Sequence, residues 1–479
     1  MSRYTSRRSF LKGSLSVAAG SLLIAGTKSS GDFRGANDAV RVAIAGIHGR
    51  GSDHMSEYGK LKDVQIAWLV DVDSRLFPAR VKTVQNKSGN VPQTTQDVRR
   101  ALDDKNLDAI SIATPNHWHS LITIWACQAG KDVYVEKPMS HNIREGRVAV
   151  ETARKYNRIV QHGTQSRSSG GWEKVAATIA SGQLGKLRVS RGLCYKPRGS
   201  IGFKPVEAPP PEVDFNMWLG PAPQQPFHQN LVHYNWHWFW DTGNGDIGNQ
   251  GVHEMDLARW AIPNGIYPKS AISLGGRFGY EDQGQTPNTQ IAILDYGETQ
   301  LIFEVRGLKT DKYLGQGIGD IYHCEAGTVR GTTFYPKGSD KPAPLPAPRD
   351  FQPRHGGHFE NFIAAVKSRK REDLHAEILE GHLSCIPIHL ANASYRLGEL
   401  VPFNPKTKAF GDNKDAYETL ARMEEHLSDG NGLKLDDLKY RLGKHLTFDP
   451  KTEFTDDPKA NEILRGTYRK GFELPDVVA

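Results

Sequence analysis

The sequence predicts an α/β protein: a doubly wound parallel-sheet domain, then a second α/β domain built on a mostly antiparallel sheet. Three observations predict it. Short continuous apolar runs alternate with helical segments from Val40 to His162, the pattern of buried parallel strands joined by crossover helices. The first run enters a glycine-rich turn, and the second ends at Asp71, 20 residues past the last glycine of that turn. From about residue 187 the runs become strands that alternate apolar and polar residues, as a sheet with one covered face requires. With 479 residues, 38% of them hydrophobic and 24% charged, the chain has material for two or three packed domains. That composition excludes collagen, extended disorder and a polytopic membrane protein.

The first strand is Val40–Ala45, and it runs into Gly46-Ile47-His48-Gly49-Arg50-Gly51. A helix over residues 52–61 and a strand Val64–Val70 follow, with Asp71 at the strand's end. Strand, glycine turn, helix, strand and acid form the dinucleotide-binding fingerprint, here with His48 at the usual middle glycine and Gly49 beside it. The glycines let the backbone approach a pyrophosphate, and the helix N-terminus offers it free N–H groups. Asp71 is suited to the adenine-ribose hydroxyls and repels a 2′-phosphate, which favours NAD; Arg75 nearby could neutralise such a phosphate, so NADP stays open. Further on come strand 108–113 with the turn Thr114–His119, helix 120–129, strand 132–135 ending in Glu136-Lys137-Pro138, helix 144–156 and strand 158–162. Ligands of doubly wound sheets bind beyond the strands' carboxyl ends. The glycine turn, Asp71, the Thr114–His119 turn and Lys137 are therefore expected on one edge, with His117 and His119 toward the nicotinamide.

The second domain starts near Thr164, with a strand from Leu187, a proline-rich surface excursion from Pro197 to Pro226, strands at 289–296, 299–305 and 320–324, and helices at 358–368 and 377–397. A charged amphipathic stretch at 416–426 and a loop-rich tail close the chain. Residues 233–241 concentrate aromatics and histidines. Trp236 and His237 there suit a sugar, with its apolar C–H faces and polar rim, as well as they suit a hydrophobic plug.

Ser6-Arg7-Arg8-Ser9-Phe10-Leu11-Lys12 and the weakly apolar stretch after it read as a twin-arginine export signal. Residues 1–38 form signal and linker, 39–163 the dinucleotide domain and 164–479 the second domain. The destination is periplasmic, with anchoring by an uncleaved signal left open. Of the net charge of +7, the first 38 residues carry six basic groups against two acids. The excess therefore belongs to the address label and gives no sign of nucleic-acid binding. The four cysteines show no C-x-x-C spacing and read as small hydrophobes, and no histidine pair joins an acid at metal-ligand spacing, so no metal is expected.

The glycine turn with His54, the Thr114-Pro115-Asn116-x-x-His119 string, Ala129 to Pro138 and Gly251-Val252-His253-Glu254-Met255-Asp256 together resemble the glucose–fructose oxidoreductase/inositol dehydrogenase (Gfo/Idh/MocA) family. Within it, the chain is similar to exported members with a Gly-Asn-Gln-Gly-x-His string, here Gly248–His253. The resemblance implies a Rossmann domain followed by an α/β domain on a large open sheet. That sheet is an association face in such folds, hence a homo-oligomer. It also implies a cis Lys137–Pro138 bond, and cofactor contacts from Gly46, His48, Gly49, Arg50, Gly51, Asp71, Arg75, Thr114, Asn116, His119, Glu136 and Lys137. Lys137 and His253 fall at the reacting end, with His253 as general base and Lys137 as hydrogen-bond donor to the substrate oxygen. Many relatives carry aspartate where this chain has Asn249, which can hold a hydroxyl but cannot take a proton. Asp246 would substitute only if its loop turned inward.

The activity so implied is oxidation or reduction at a secondary hydroxyl of a sugar, sugar derivative or cyclitol, with Lys137, Asn249, His253, His237 and Trp236 at the substrate. Beyond the inner membrane there is no obvious pool of free nicotinamide cofactor, so the NAD must be retained. Two rivals remain. One is a redox-neutral, NAD-dependent glycoside-cleaving enzyme working by oxidation, elimination, hydration and reduction. The other is a non-catalytic sugar-binding protein.

Overall fold

The computed structural model describes residues 39–475. The twin-arginine string and its apolar stretch lie outside the described residues.

The first half is a six-stranded parallel sheet in the order β3-β2-β1-β4-β5-β6, made of β1 (Val40–Ala45), β2 (Val64–Val70), β3 (Gln93–Thr95), β4 (Ala109–Ile112), β5 (Asp132–Val135) and β6 (Val160–His162). This order reverses at β1, so the crevice between the carboxyl ends of β1 and β4 is the expected ligand position. Between the strands run α1 (Arg50–Tyr58), α2 (Phe77–Ser88), α3 (Val98–Leu102), α4 (Asn116–Gln128) and α5 (Ile143–Lys155). α4 begins four residues before the sequence places it, so its first turn carries Asn116, His117 and His119. Eleven of its thirteen residues are buried, which fits a helix covered on both sides. α5 is amphipathic and opens on Asn142, whose side chain accepts from the Glu145 N–H. β3 and α2 are elements that the apolar pattern does not announce: β3 is three polar residues, and α2 buries only Val84.

The second half is an eleven-stranded mixed sheet. Its path is β13-β12-β11-β7-β10-β9-β8-β15-β14, with β7 (Leu187–Tyr195) and β10 (Gln300–Arg306) parallel and the remaining pairs antiparallel. The other strands are β8 (Ser270–Gly276), β9 (Thr289–Asp295), β11 (Ile318–Cys324), β12 (Gly327–Arg330), β13 (Thr333–Pro336), β14 (Glu399–Pro402) and β15 (Lys439–Leu442). Between β6 and β9 the chain also forms α6 (Gly170–Ala180), α7 (Phe215–Leu219), α8 (Gly245–Gly248) and α9 (Gly251–Trp260). Later come α10 (His358–Ser368), α11 (Ile378–Arg396) and α12 (Lys414–Leu427), and past β15 the chain adds β16 (Leu446–Asp449), β17 (Phe454–Thr455) and α13 (Pro458–Arg465). Helices α9 and α11 pack on one face of the sheet, sharing a core of Val252, Met255, Phe303, Leu301, Ile386 and Leu390.

The other face is not open. Phe403, Phe410 and, from α12, Leu420, Met423 and Leu427 cover Ile272, Ile291, Ile293 and Ile302. The amphipathic stretch near 416–426 is thus a lid on the middle strands of the sheet. The tail also returns to the first half, where Phe472 packs against Trp118 and Trp125. All four cysteines are free thiols. Among the described residues, no helix is long and apolar enough to cross a membrane.

Candidate active site

A cleft of about 300 Å³, partly open to solvent, lies where β1 and β4 diverge. From the first half it is lined by Gly46, His48, Gly49, Arg50, Asp71, Thr114, Asn116, His119, Glu136 and Lys137. The second half contributes Met217, Trp218, His233, Tyr234, Trp236, His237 and Asn249.

The glycine turn is built for close approach. Gly46 has φ +81°, and a Cβ there would sit 2.5 Å from the Ala113 carbonyl oxygen. A Cβ on Gly51 would lie 1.9 Å from the Gly46 carbonyl oxygen, so this glycine serves helix-to-turn packing and does not line the cleft. A Cβ on Gly49 would meet nothing, and no side chain caps α1, which leaves its first N–H groups facing the cradle. Asp71 accepts from the Ile47 N–H (2.8 Å) and the Asp73 N–H (3.0 Å), which aims its carboxylate at the turn. Thr114 Oγ1 is buried without a partner among the described residues. A cradle of backbone donors, an acid beside it and an orphaned hydroxyl fit a dinucleotide.

Arg75 does not join this site. Its guanidinium is taken by Asp73 through Nε (2.8 Å) and a terminal nitrogen (2.6 Å), and it lies outside the cleft lining. The expected neutraliser of a 2′-phosphate is therefore already committed. His117 is likewise displaced: its ring nitrogens face the Trp218 and Thr242 carbonyls, on the far side of the first turn of α4. His119 stays in the cleft, with its ring nitrogens on the carbonyls of Pro138 (2.6 Å) and Thr114 (2.8 Å).

Glu136 is the hub of the lysine end. It accepts from Arg50 Nε (2.9 Å) and Gln165 Nε2 (3.0 Å) and meets His54 Nε2 at 3.1 Å, while the other nitrogen of His54 meets Ser111. Burial alone would raise this carboxyl, but the His54 hydrogen bond and the Arg50 charge outweigh it and hold it well below the usual carboxylate range. Glu136 thus fixes Arg50 at the cleft wall. It is the physical reason that a histidine eight residues after the first glycine matters to the site.

Lys137 precedes a cis peptide bond to Pro138, as the resemblance implied. Its Nζ donates to the Asn249 carbonyl (3.0 Å) and side-chain oxygen (3.3 Å), joining the two halves. Burial is the largest influence on this ammonium and lowers its pKa, with the Glu136 charge opposing. Asp246 does turn inward, but it is held by two 2.9 Å bonds from Arg198 and reaches Asn249 only at 3.5 Å. His253, in the first turn of α9, does not line the cleft. It is half-buried behind Asn249, and its pKa is lowered to about 4, first by burial and then by the Lys137 ammonium.

The remaining lining residues come from the segment the sequence shows only as proline-rich loop and aromatic cluster. The excursion is tied to the end of β2: Asp214 N–H donates to the Val72 carbonyl (2.9 Å), Ser74 N–H to the Glu212 carbonyl (3.1 Å), and Asp73 bridges Val213. Trp218, Leu219, Leu231, Trp236 and Phe239 form a small core beneath it. From there His233 reaches back over the glycine turn. Its ring stacks on His48 with centroids 4.2 Å apart and planes 4° apart, and its Nε2 lies 2.9 Å from Asp73 Oδ2. The cleft therefore has a roof, clasped at its adenosine end. Trp236 and His237 line the cleft and stack on each other at 3.6 Å, while Trp236 also belongs to the small core, as a hydrophobic plug would.

Residues 40–164 match an oxidoreductase family with an NAD-binding Rossmann fold, and residues 195–428 match the C-terminal alpha/beta domain of the same family. The chain belongs to the Gfo/Idh/MocA oxidoreductase family. It is 25% identical to the myo-inositol 2-dehydrogenase of Thermotoga maritima over 152 residues, 32% of this chain and 44% of that protein. Over 242 residues, 50% of this chain and 59% of the relative, it is 26% identical to an uncharacterized oxidoreductase, YrbE, of Bacillus subtilis. A glycosyl hydrolase family 109 protein of Shewanella pealeana is 28% identical over 120 residues, 24% of this chain and 26% of the relative. The chain thus matches less than two thirds of the length of these curated relatives. Among solved structures, the WlbA dehydrogenase of Chromobacterium violaceum, in complex with NADH and UDP-GlcNAcA, has a TM-score of 0.55 at 16% identity, covering 74% of this chain and 94% of that one. That likeness concerns the fold.

Proposed function

We propose that this family member is an NAD-dependent oxidoreductase acting on a secondary hydroxyl of a sugar, sugar derivative or cyclitol, with its cofactor retained between turnovers. The observation that carries the reading is Lys137: a half-buried ammonium at the carboxyl end of a sheet strand, bonded to Asn249 from the other half, in the same cleft as the glycine cradle and Asp71. Gly46, Gly49, Asp71 and Thr114 would hold the dinucleotide, with the diphosphate over the N-terminus of α1. Bound there, NAD supplies the acceptor or donor of a hydride. Lys137 Nζ donates to the substrate oxygen and offsets alkoxide character as it develops. In oxidation the neutral amine of Lys137, favoured by burial, takes the hydroxyl proton, and in reduction the ammonium returns it. His253, uncharged above about pH 4 and outside the cleft lining, is too weak a base to drive that transfer. Trp236 and His237 give an apolar and a polar wall for a ring substrate.

Asp71, and the commitment of Arg75 to Asp73, support NAD over NADP. The roof at His233 supports retention. The Ser6–Lys12 string supports export by the twin-arginine route. The match to a glycosyl hydrolase family 109 protein covers 24% of the chain and carries no argument about the reaction. The test is mass spectrometry of nicotinamide co-purifying with the exported protein, then a panel of sugars, cyclitols and glycosides. Absorbance at the reduced-nicotinamide band reads oxidation, and aglycone release without added cofactor reads the redox-neutral route. Protein that carries no nicotinamide and binds none added back would overturn the reading.

A further inference from the structure

Behind the cleft, on the far side of the hydrogen bond from Asn116 Nδ2 to Asn244 Oδ1 (3.1 Å), lies a second cavity of about 260 Å³. The first turn of α4, the end of α11, the stretch after α13 and the loop at Trp240–Asp241 bound it. The aromatic segment therefore divides between two spaces: Trp236 and His237 face the cleft, whereas Trp240 and Asp241 face this cavity.

At its solvent-exposed rim Arg396 and Asp241 have no hydrogen-bond partner among the described residues, and deeper in, the buried His389 ring leaves one nitrogen unbonded. The Arg396 guanidinium lies over the Trp240 ring at 5.1 Å and feels Asp241 as its one opposing charge. Asp241 makes no hydrogen bond in return. His389, buried on α11, spends Nε2 on the Ser140 hydroxyl (3.0 Å) and leaves Nδ1 unbonded. The lining carries a small excess of negative charge, because Glu462 adds a carboxylate to the Arg396–Asp241 pair, which disfavours an anion. Arg396 offsets Asp241, burial holds His117 and His389 down to about 3 and His141 to about 4, and Glu145 is pushed up to about 8, so each of these is uncharged at neutral pH. A charged ligand would meet one like charge of the Arg396–Asp241 pair, whereas an uncharged polyol can use both. The indole adds an apolar wall, and the volume suits a single ring.

We propose that this cavity binds one uncharged pyranose unit, separately from the cleft, with Trp240 along its C–H face, Asp241 accepting from its hydroxyls, and Arg396 and His389 completing the hydrogen bonds. A free monosaccharide and the end of a longer glycan share this chemistry. The test uses the full NAD-loaded protein and saturation-transfer NMR titration. The probes are methyl glycosides of glucose, galactose and N-acetylglucosamine, trisaccharides ending in the same rings, and glucuronate as the charged control.

The expected result is binding of at least one neutral probe that weakens at least tenfold in both Asp241→Ala and Arg396→Gln. Turnover of the cleft's own small substrate stays within twofold, and thermal midpoints match the parent. Probes that bind only as trisaccharides identify a glycan end. Loss in the alanine variant with retention in both Asp241→Asn and Arg396→Gln would overturn the proposal. So would neutral probes indifferent to all three substitutions, or glucuronate bound as tightly as they are. Binding is read at equilibrium, so it decides this site even if the cleft proves to turn nothing over.

Discussion

Replacing His233 by alanine unclasps the roof without disturbing the cradle. The side chain contributes a hydrogen bond to the Asp73 carboxylate at 2.9 Å and a face-to-face stack on His48. The first is worth about 1.5 kcal/mol and the second about 0.5 kcal/mol for partly exposed groups. Asp73 keeps its two bonds to Arg75, so the substitution strands no buried charge. A closure weakened by about 2 kcal/mol opens roughly 30 times more often, and a nucleotide that leaves only through the open state exchanges faster by the same factor. Loaded protein mixed with excess isotopically labelled NAD and sampled by mass spectrometry reads that rate. Amide exchange over residues 228–241 of the NAD-free protein reads the opening itself. If amide exchange accelerates while NAD exchange stays within threefold of the parent, the roof is not what retains the cofactor.

Lys137→Met should lower turnover by about 10²- to 10⁴-fold while NAD affinity, measured by titration calorimetry, changes little, because the cradle and Asp71 are untouched. Asp71→Ser should narrow the preference for NAD over NADP at least tenfold in direct binding, since Arg75 is not free to oppose it. Gly51→Ala should cost about 1–3 kcal/mol in urea denaturation and weaken NAD binding, because its Cβ would lie 1.9 Å from the Gly46 carbonyl oxygen. Acidification from pH 6.5 toward 4.5 should lower the thermal midpoint. His117, His162, His237 and His389 are held to about 3, and His141, His253 and His358 to about 4, so only the unfolded chain takes up their protons in that window. Each costs at most about 1.4 kcal/mol per pH unit. Glu145 and Glu254, raised by burial to about 8, work oppositely, favouring the fold at low pH and losing that contribution as pH rises toward 8. They are outnumbered, and a flat midpoint across the window would contradict these histidine assignments.

The parallel sheet was legible because β1, β4 and β5 are almost wholly buried and read as nearly continuous apolar runs, as in VRVAIA, where only Arg41 interrupts. β3 and α2 were not, because an edge strand of three polar residues and a helix with one buried side chain leave no periodic trace. Lys137, Asn249 and the glycine turn were legible as local motifs. Arg75 was misplaced because proximity in sequence says nothing about the Asp73 carboxylate two residues earlier, which captures its guanidinium. His233 and Trp218 were missed as cleft residues because their position depends on a long excursion anchoring to the end of β2. Only Pro209-Pro210-Pro211 and a dense aromatic count marked that stretch. The amphipathic pattern of α12 was visible, but not the face it would cover.

That covering helix has a consequence for where the chain can be cut. Stopping before Phe403 would strip the lid from Ile272, Ile291, Ile293 and Ile302 and turn the middle of the sheet into a broad wet apolar plate. It would also leave Arg191, now bonded to Thr419 beneath the helix, with a guanidinium facing that plate. The last sixth of the sequence is therefore no detachable appendage. A shortened version would have to recruit a stranger, or a twin, to cover the same ground.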